Sequence, residues 1–197
     1  MKEIKQYHNS GGLHEHYHEL NGKRHGVYNR WYKNGQLETQ AYYVNGDLHG
    51  DYKQWYHNGQ MSLHSRYENG ELHGEHKQWY KNGQLELQVY YENWCCYKEY
   101  RRWYDNGHPC IVTYYMDDQP HGEHKEWYTN GQLAAHSYYV YGRQHGERKA
   151  WGIRGDVISH TFWLHGEDVT EQVDKLVADM YNITQEERTL IKLAVGI

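Results

Sequence analysis

Large apolar residues other than Tyr and Trp are scarce in this chain. Its 197 residues include a single Phe, and few Leu, Ile or Val precede residue 157. The mean hydropathy is -1.14, and no apolar run is long enough to cross a bilayer. A deep aliphatic core cannot be built from residues 1–156. We therefore expect a thin, partly wet structure there instead of an ordinary globular domain.

Strong charge, a secretion signal and a cysteine framework are missing as well. The formal net charge of -5 argues against nucleic acid as an electrostatic partner. It argues more weakly against charge-driven binding to anionic membranes. The first residues, MKEIKQYHNSGG, contain no apolar signal segment. The chain has Cys at only 3 positions, which do not make a disulfide framework. We expect a cytoplasmic protein with reduced thiols.

What the chain has in excess is Tyr and Trp arranged in a regular repeat. It contains 22 Tyr and 8 Trp. Six of the tryptophans recur every 24 residues, at Trp31, Trp55, Trp79, Trp103, Trp127 and Trp151. The clearest copies of the phrase that follows are WYKNGQL, WYHNGQM and WYTNGQL. A short unit repeated in tandem indicates a repeat architecture. Such a repeat tells us more about the fold than about any catalytic activity.

Asn-Gly pairs occur twice in each period and predict turns. One set follows each Trp, as at Asn34-Gly35, and the other lies between, as at Asn45-Gly46. Two-residue Asn-Gly turns favour antiparallel hairpins. We therefore predict a mainly β protein: an elongated, single-layer antiparallel meander of tandem 24-residue β-hairpin repeats. The same turns predict that Trp31 pairs with Glu38.

The predicted register gives the sheet two different faces. One face is apolar and includes Tyr43 and Tyr52, together with glycines from recurring His-Gly pairs. We interpret these glycines as covered by a facing tyrosine ring, such as Tyr43 over Gly26. The other face interleaves the tryptophans with charged rows, in which we expect exposed ion pairs such as His136 with Glu147.

Tandem hairpins with Tyr, Asn-Gly, His-Gly and a WYxNGQL turn resemble the MORN repeat. They resemble more closely its variant form, found in many bacterial proteins, some labelled antitoxin components. The copies at 45–61 (NGDLHGDYKQWYHNGQM) and 69–85 (NGELHGEHKQWYKNGQL) carry the resemblance, which covers roughly residues 7–166. The family implies an elongated single-layer sheet used in interaction or scaffolding, with phospholipid binding and dimers among relatives. It implies no catalytic residues.

The C-terminal segment has a different composition from the repeats. We divide the chain into about seven repeats at 1–166, the first and last partial and the fourth irregular, and a helical cap at 167–197. Thr170 is expected to cap a first helix, and Thr184 with Glu187 to begin a second. We interpret the helices as covering the last strands; a partner-binding helix pair is the alternative. This segment resembles the tail of MORN-repeat proteins from large DNA viruses, which would place the protein in a host cytoplasm.

The fourth unit departs from the repeat. Tyr97-Lys98 stands where His-Gly is expected, after Trp94 and two cysteines, and Asp117-Asp118 replaces Asn-Gly. Drift in a tolerant repeat is one interpretation. A partner site is the other, because an exposed Trp is costly to leave in water. With the repeated aromatic residues of the same face, the candidate binding residues are Trp94, Tyr97, Trp103, Trp79, Trp127, Tyr90 and Tyr114.

The sequence offers no support for reaction chemistry. It contains no HExxH, CxxC, P-loop or GxSxG motif, so we predict no enzyme, no catalytic residue and no cofactor. Among its 17 histidines, His14, His16 and His18 alternate on one predicted strand. Alternate strand positions lie nearly ~7 Å apart, which disfavours a shared ion. We therefore predict no metal site.

Three functions remain for a long patterned sheet. The first is a non-enzymatic scaffold for protein–protein interaction, including self-association as a homodimer. The alternatives are a module that binds phospholipid at a membrane surface and an antitoxin-like neutraliser of a partner protein. The tryptophans are either half-exposed braces, meaning residues that support the thin sheet itself, or the stripe that a partner contacts. We favour braces for most of them, with the irregular fourth unit as the exception.

Overall fold

The computed structural model of the protein describes residues 1–92 and 95–182, with side chains outside 92–98 and 178–182. Its strands are β1 (Lys2–Tyr7), β2 (Leu13–Leu20), β3 (Lys23–Arg24), β4 (Gly26–Trp31), β5 (Leu37–Val44), β6 (Asp47–Leu48), β7 (Gly50–Trp55), β8 (Met61–Glu68), β9 (Glu71–Trp79), β10 (Leu85–Glu92), β11 (Cys95–Trp103), β12 (Pro109–Met116), β13 (Gln119–Trp127), β14 (Leu133–Val140), β15 (Arg143–Gln144), β16 (Gly146–Trp151), β17 (Val157–Leu164) and β18 (Glu167–Asp168). Each long strand pairs antiparallel with the next long strand along the chain. The predicted single antiparallel meander is confirmed.

The turns that lie between the WYxNGQ copies have the predicted hairpin geometry. Asn45 and Gly46 both adopt positive φ, at 53° and 97°, as a type I′ turn requires. The Gly46 N–H also donates to the Arg24 carbonyl at 2.8 Å, which joins this turn to the previous repeat. We call this set the hairpin turns: Asn21-Gly22, Asn45-Gly46, Asn69-Gly70, Asp117-Asp118, Tyr141-Gly142 and His165-Gly166.

The turns after each Trp are wider than predicted. The Tyr32 N–H donates to the Gln36 carbonyl at 2.9 Å, and the Gly35 N–H to the Tyr32 carbonyl at 2.9 Å. Five residues therefore close the turn instead of two, and the register shifts next to it. Trp31 consequently pairs with Leu37, and the predicted pairing with Glu38 is wrong. We call this set the motif turns: 32–36, 56–60, 80–84, 104–108, 128–132 and 152–156.

The recurring His-Gly pairs form bulges in the strands. Leu48 pairs with Tyr43, and Lys53 pairs with Gln40. Five residue steps from Leu48 to Lys53 therefore lie opposite only three steps from Tyr43 to Gln40. The bulge places Gly50 at a φ of 80°, a left-handed conformation that favours glycine. The same conformation recurs at Gly26, Gly74, Gly122 and Gly146. These bulges divide several strands in two and account for the 18 strands of the sheet.

The bulges also explain why the proposed covering of glycine by tyrosine is wrong. Tyr43 does face Gly26, as predicted. No atom, however, lies within 4 Å of the point where a Cβ on Gly26 would stand. The left-handed backbone, and not a ring above it, is therefore the reason that glycine recurs at these positions.

A row of small buried side chains runs along the apolar face at Ala41, Ser65, Val89, Thr113 and Ser137. Larger rings flank each of them: Ser65 lies between Tyr52 and His76, and its Oγ is 2.8 Å from His76 Nδ1. Burial raises the pKa of Tyr52 and lowers the pKa of His76. We call this the tyrosine face; its rings also include Tyr28, Tyr43 and Tyr67. Its side chains close the core of the thin sheet.

The helix α1 (Thr170–Asn182) follows the last strands and contacts β17. The Asp168 carboxylate accepts the Thr170 N–H at 2.9 Å, and the Thr170 hydroxyl accepts the Phe162 N–H at 3.0 Å. Thr170 thus ties the helix to the sheet, while Asp168 does the capping expected of Thr170. Leu176 and Val177 of this helix are exposed. The predicted second helix at 184–196 lies outside the described residues. Within the described residues, no helix combines the length and apolar character needed to span a membrane.

Candidate functional site

The repeated tryptophans stand at the ends of strands, beside the motif turns. Trp79, Trp103 and Trp127 are half-buried. Each pairs with the residue that ends its WYxNGQL copy, respectively Leu85, Pro109 and Leu133. These backbone pairings place the three candidates at the base of the motif turns. Of the other candidates, Trp94 and the Tyr97 side chain lie outside the described residues.

Tyr90 and Tyr114 belong to a regular row on the opposite face from Tyr52. Each lies across from an acidic residue of the preceding strand, Tyr90 from Glu75 and Tyr114 from Glu99. The equivalent positions in the other repeats hold further aromatic residues and one arginine. We call the set the aromatic row: Tyr42, Arg66, Tyr90, Tyr114, Tyr138 and Phe162.

Three of the four tyrosines of the aromatic row are exposed to solvent, and Tyr114 is half-buried. Tyr42, Tyr90 and Tyr138 are 42%, 46% and 40% exposed. Successive members lie two strands apart, or about 9–10 Å by strand spacing. Sequence reasoning selected Tyr90 and Tyr114 but missed the other four. The 24-residue period, applied to Tyr90 as it was to the tryptophans, would have found them.

Ion pairs run beside the aromatic row on the same face. Each carboxylate contacts the cation two residues further along its strand: Lys53 Nζ lies 2.9 Å from Asp51, and Lys125 Nζ lies 2.8 Å from Glu123. The ammonium groups hold the pKa of both carboxyls below the usual range. The further pairs are Lys5–Glu3, Lys77–Glu75, Arg101–Glu99 and Lys149–Glu147. We call this surface the charged face.

Histidines from the following strand join several of these pairs. His136 Nε2 lies 2.9 Å from Glu123 Oε1, and His160 Nε2 lies 2.8 Å from Glu147 Oε1. The predicted partner of His136 was Glu147, which is wrong because the His-Gly bulge at Gly146 displaces the register by two residues. The carboxylate of each cluster thus has two basic neighbours, and its ionised form is the favoured one.

A shallow groove of about 590 Å³ crosses the charged face where arginine interrupts the aromatic row. Its walls come from four successive strands and include Asp51, His64, Arg66, Glu75 and Tyr90. The groove is polar and mixed in charge. It therefore suits a partner with both polar and aromatic contacts better than an apolar small molecule.

The sheet and its two repeating turns define a class, the tandem β-hairpin repeat proteins. The family model for the MORN repeat variant matches the chain at residues 24–45, 48–69, 72–93 and 120–141. The chain therefore contains tandem copies of the MORN repeat variant. The unmatched stretch at 94–119 contains the irregular fourth unit, whose hairpin is nevertheless kept, since Glu99 pairs with Tyr114 in β11 and β12. Among curated proteins, none matches the chain.

Proposed function

We propose that the chain is a non-enzymatic scaffold that binds a protein partner through the charged face, with the aromatic row as the contact. MORN repeats are generally repeat modules associated with binding and not with catalysis. The observation that carries the proposal is the line of exposed tyrosines at Tyr42, Tyr90 and Tyr138. Tyr and Arg are enriched at protein interfaces, because they offer large apolar area together with a polar group.

The other aromatic sets support this choice of surface. The rings of the tyrosine face lie over the buried row of small side chains and pack in the core. Trp79 and Trp127 are half-buried at the strand ends that flank the motif turns. A partner that contacts the aromatic row needs no rearrangement of either set. The ion pairs on both sides then serve as a polar rim that fixes orientation.

Phospholipid binding is a weaker proposal for the same face. Lipid phosphates need cations that are free to bind them. On the charged face, Lys53, Lys77, Lys125 and Lys149 each lie within 2.9 Å of a carboxylate. Because these ammonium groups are already neutralised, their attraction for an anionic surface is small.

Self-association is favoured by a separate observation at the C-terminal end of the sheet. Among the described residues, the outer side of β17 pairs with β18 only at Trp163 and Leu164. The first half of β17 carries Val157 and Ile158, which are 58% and 63% exposed. An open apolar edge is a template for pairing with another strand. We propose that a second copy pairs there; Ile158→Glu would then abolish a dimer seen by light scattering.

A variant pair tests the partner proposal. Tyr90→Ser/Tyr138→Ser removes two exposed members of the row. Tyr7→Ser/Tyr141→Ser removes two tyrosines outside the row that are more exposed than Tyr90 and Tyr138. In quantitative affinity purification from the source cell, we expect the same partner to bind the wild type and the control variant, and to be lost from the row variant. A partner retained equally by both variants would contradict the proposal.

The same variants separate the alternative functions. Flotation with anionic vesicles at low salt, lost only in the row variant, would favour the phospholipid function. A partner that is toxic when expressed alone, and harmless when expressed with the wild type, would identify the antitoxin-like function.

A further inference from the structure

Two histidines and a carboxylate converge at the N-terminal end of the charged face. Glu3 in β1 lies opposite His18 in β2. His16 Nε2 is 2.9 Å from Glu3 Oε1, and the ring centroids of His16 and His18 are 5.5 Å apart. One ligand atom from each residue lies within 4.8 Å of the other two. The rings are thus closer than the spacing of alternate strand positions had led us to expect.

This cluster is a local departure from a repeated arrangement. Near the other end of the sheet, Glu123 lies opposite Tyr138, with His136 at 2.9 Å from the carboxylate. The corresponding lysines are also matched, since Lys5 and Lys125 each lie 2.8 Å from their carboxylate. Only one position differs in kind: His18 stands where the later repeat has Tyr138. A potential ligand therefore replaces an aromatic residue that offers no imidazole nitrogen.

We propose that Glu3, His16 and His18 bind one divalent transition-metal ion of the zinc class. Two imidazoles and one carboxylate form a donor set typical of Zn²⁺, with a fourth position left for water. Bond lengths of about 2.0–2.2 Å place tetrahedral ligand atoms about 3.4 Å apart. The His16–Glu3 distance is already shorter than this value, and rotation of the His18 side chain closes the remaining gap.

Lys5 competes with the ion for the same carboxylate. Its Nζ lies 2.8 Å from Glu3 Oε1, and its side chain is 42% exposed. The ammonium therefore has to move into solvent when the ion binds, which its flexible chain permits. Lys5→Gln removes this competition and is expected to strengthen metal binding.

The repeat provides both a loss and a gain variant for the test. His18→Tyr converts the cluster into the arrangement at Tyr138, and Tyr138→His creates a second copy of it. Because each residue type already occupies this position in the sheet, both variants are expected to fold, which circular dichroism checks. The measurement is calorimetric titration of untagged, chelator-treated full-length protein with Zn²⁺, accompanied by Co²⁺ absorption.

We expect the wild type to bind one ion, His18→Tyr to lose affinity by about tenfold or more, and Tyr138→His to bind two ions. If His18→Tyr binds Zn²⁺ as the wild type does, other histidines hold the ion and the proposal fails. Absence of wild-type binding at millimolar Zn²⁺ overturns it as well.

Discussion

The two edges of the sheet join neighbouring repeats by different means. At the motif turns, side chains cross from one repeat to the next: the Tyr56 hydroxyl donates to the Trp79 carbonyl at 2.6 Å, and Asn58 Nδ2 donates to the Lys81 carbonyl at 3.1 Å. At the hairpin turns the link is made mainly by the backbone, although the N–H of Asn45 and of Tyr141 also lies 3.4 Å from Nδ1 of His25 and His121. There the N–H of Gly70, for example, donates to the carbonyl of Leu48 at 2.8 Å.

This difference accounts for what recurs in the sequence and what drifts. A side-chain link needs a particular hydroxyl and a particular amide, so Tyr and Asn recur together in five motif turns. A backbone link needs only the left-handed conformation, and the first turn position is accordingly Asn45, Asp117, Tyr141 or His165. We call this series of side-chain bonds between successive motif turns the side-chain ladder. It begins with His8, which contacts the Trp31 carbonyl, and ends at the Trp151 carbonyl.

The largest effect is expected from removing one rung of the side-chain ladder. Tyr80→Phe/Asn82→Ala deletes the bonds to the carbonyls of Trp103 and Asp105. Asn82→Ala also deletes the bond that Asn82 Oδ1 accepts from the Gln84 N–H. Three hydrogen bonds at about 1 kcal/mol each predict a loss of about 3 kcal/mol in the free energy of unfolding. Urea denaturation measures it. A loss below about 0.5 kcal/mol would show that the ladder contributes little.

An intermediate effect is expected from the His-Gly bulges near the hairpin turns. Gly74 is buried at a φ of 83°, and Gly74→Ala forces a side chain into this left-handed conformation. We expect a loss of about 1–2 kcal/mol in unfolding free energy. Gly12→Ala is the control, since Gly12 has open space and no positive φ. Equal stability of the two variants would contradict the backbone explanation for the recurring glycine.

The smallest effect is expected from changing the first residue of a hairpin turn. Asn69→Asp places in this turn the residue type that Asp117 already supplies at the same conformation. We predict a change within about 0.5 kcal/mol. Asn82→Asp at a motif turn removes the amide donor to Asp105 and should cost about 1 kcal/mol. Similar losses for both substitutions would remove the distinction between the edges.

Much of the fold follows from the period alone. The hairpin turns and the single antiparallel meander were predicted because Asn-Gly pairs and alternating strands act locally. The motif turns were predicted as two-residue turns because the same dipeptide occurs there. In the structure, Tyr32 and Gln36 close a wider turn whose stability depends on the next repeat, through the Trp55 carbonyl. A bond across repeats leaves no local sequence signal.

The candidate site was predictable only in part, for a related reason. Tyr90 and Tyr114 do lie on the charged face, but the sequence could not rank the tryptophans against them as contacts. Whether an aromatic ring supports the sheet or contacts a partner depends on how exposed the ring is. The alternation of residues along a strand assigns each ring to a face, but it does not give its exposure. The bulge at Gly146 also shifts the pairing of His136 on the following strand by two residues, to Lys149, and His136 contacts Glu123 on the preceding strand and not Glu147.

The claim that the aromatic row is the contact surface is tested most directly by oxidative footprinting of the chain alone and with its captured partner. We predict that Tyr42, Tyr90 and Tyr138 are labelled in the free chain and protected in the complex. Labelling of Trp79 and Trp127 should not change between the two. Protection of the tryptophans, with the row tyrosines still labelled in the complex, would contradict the account.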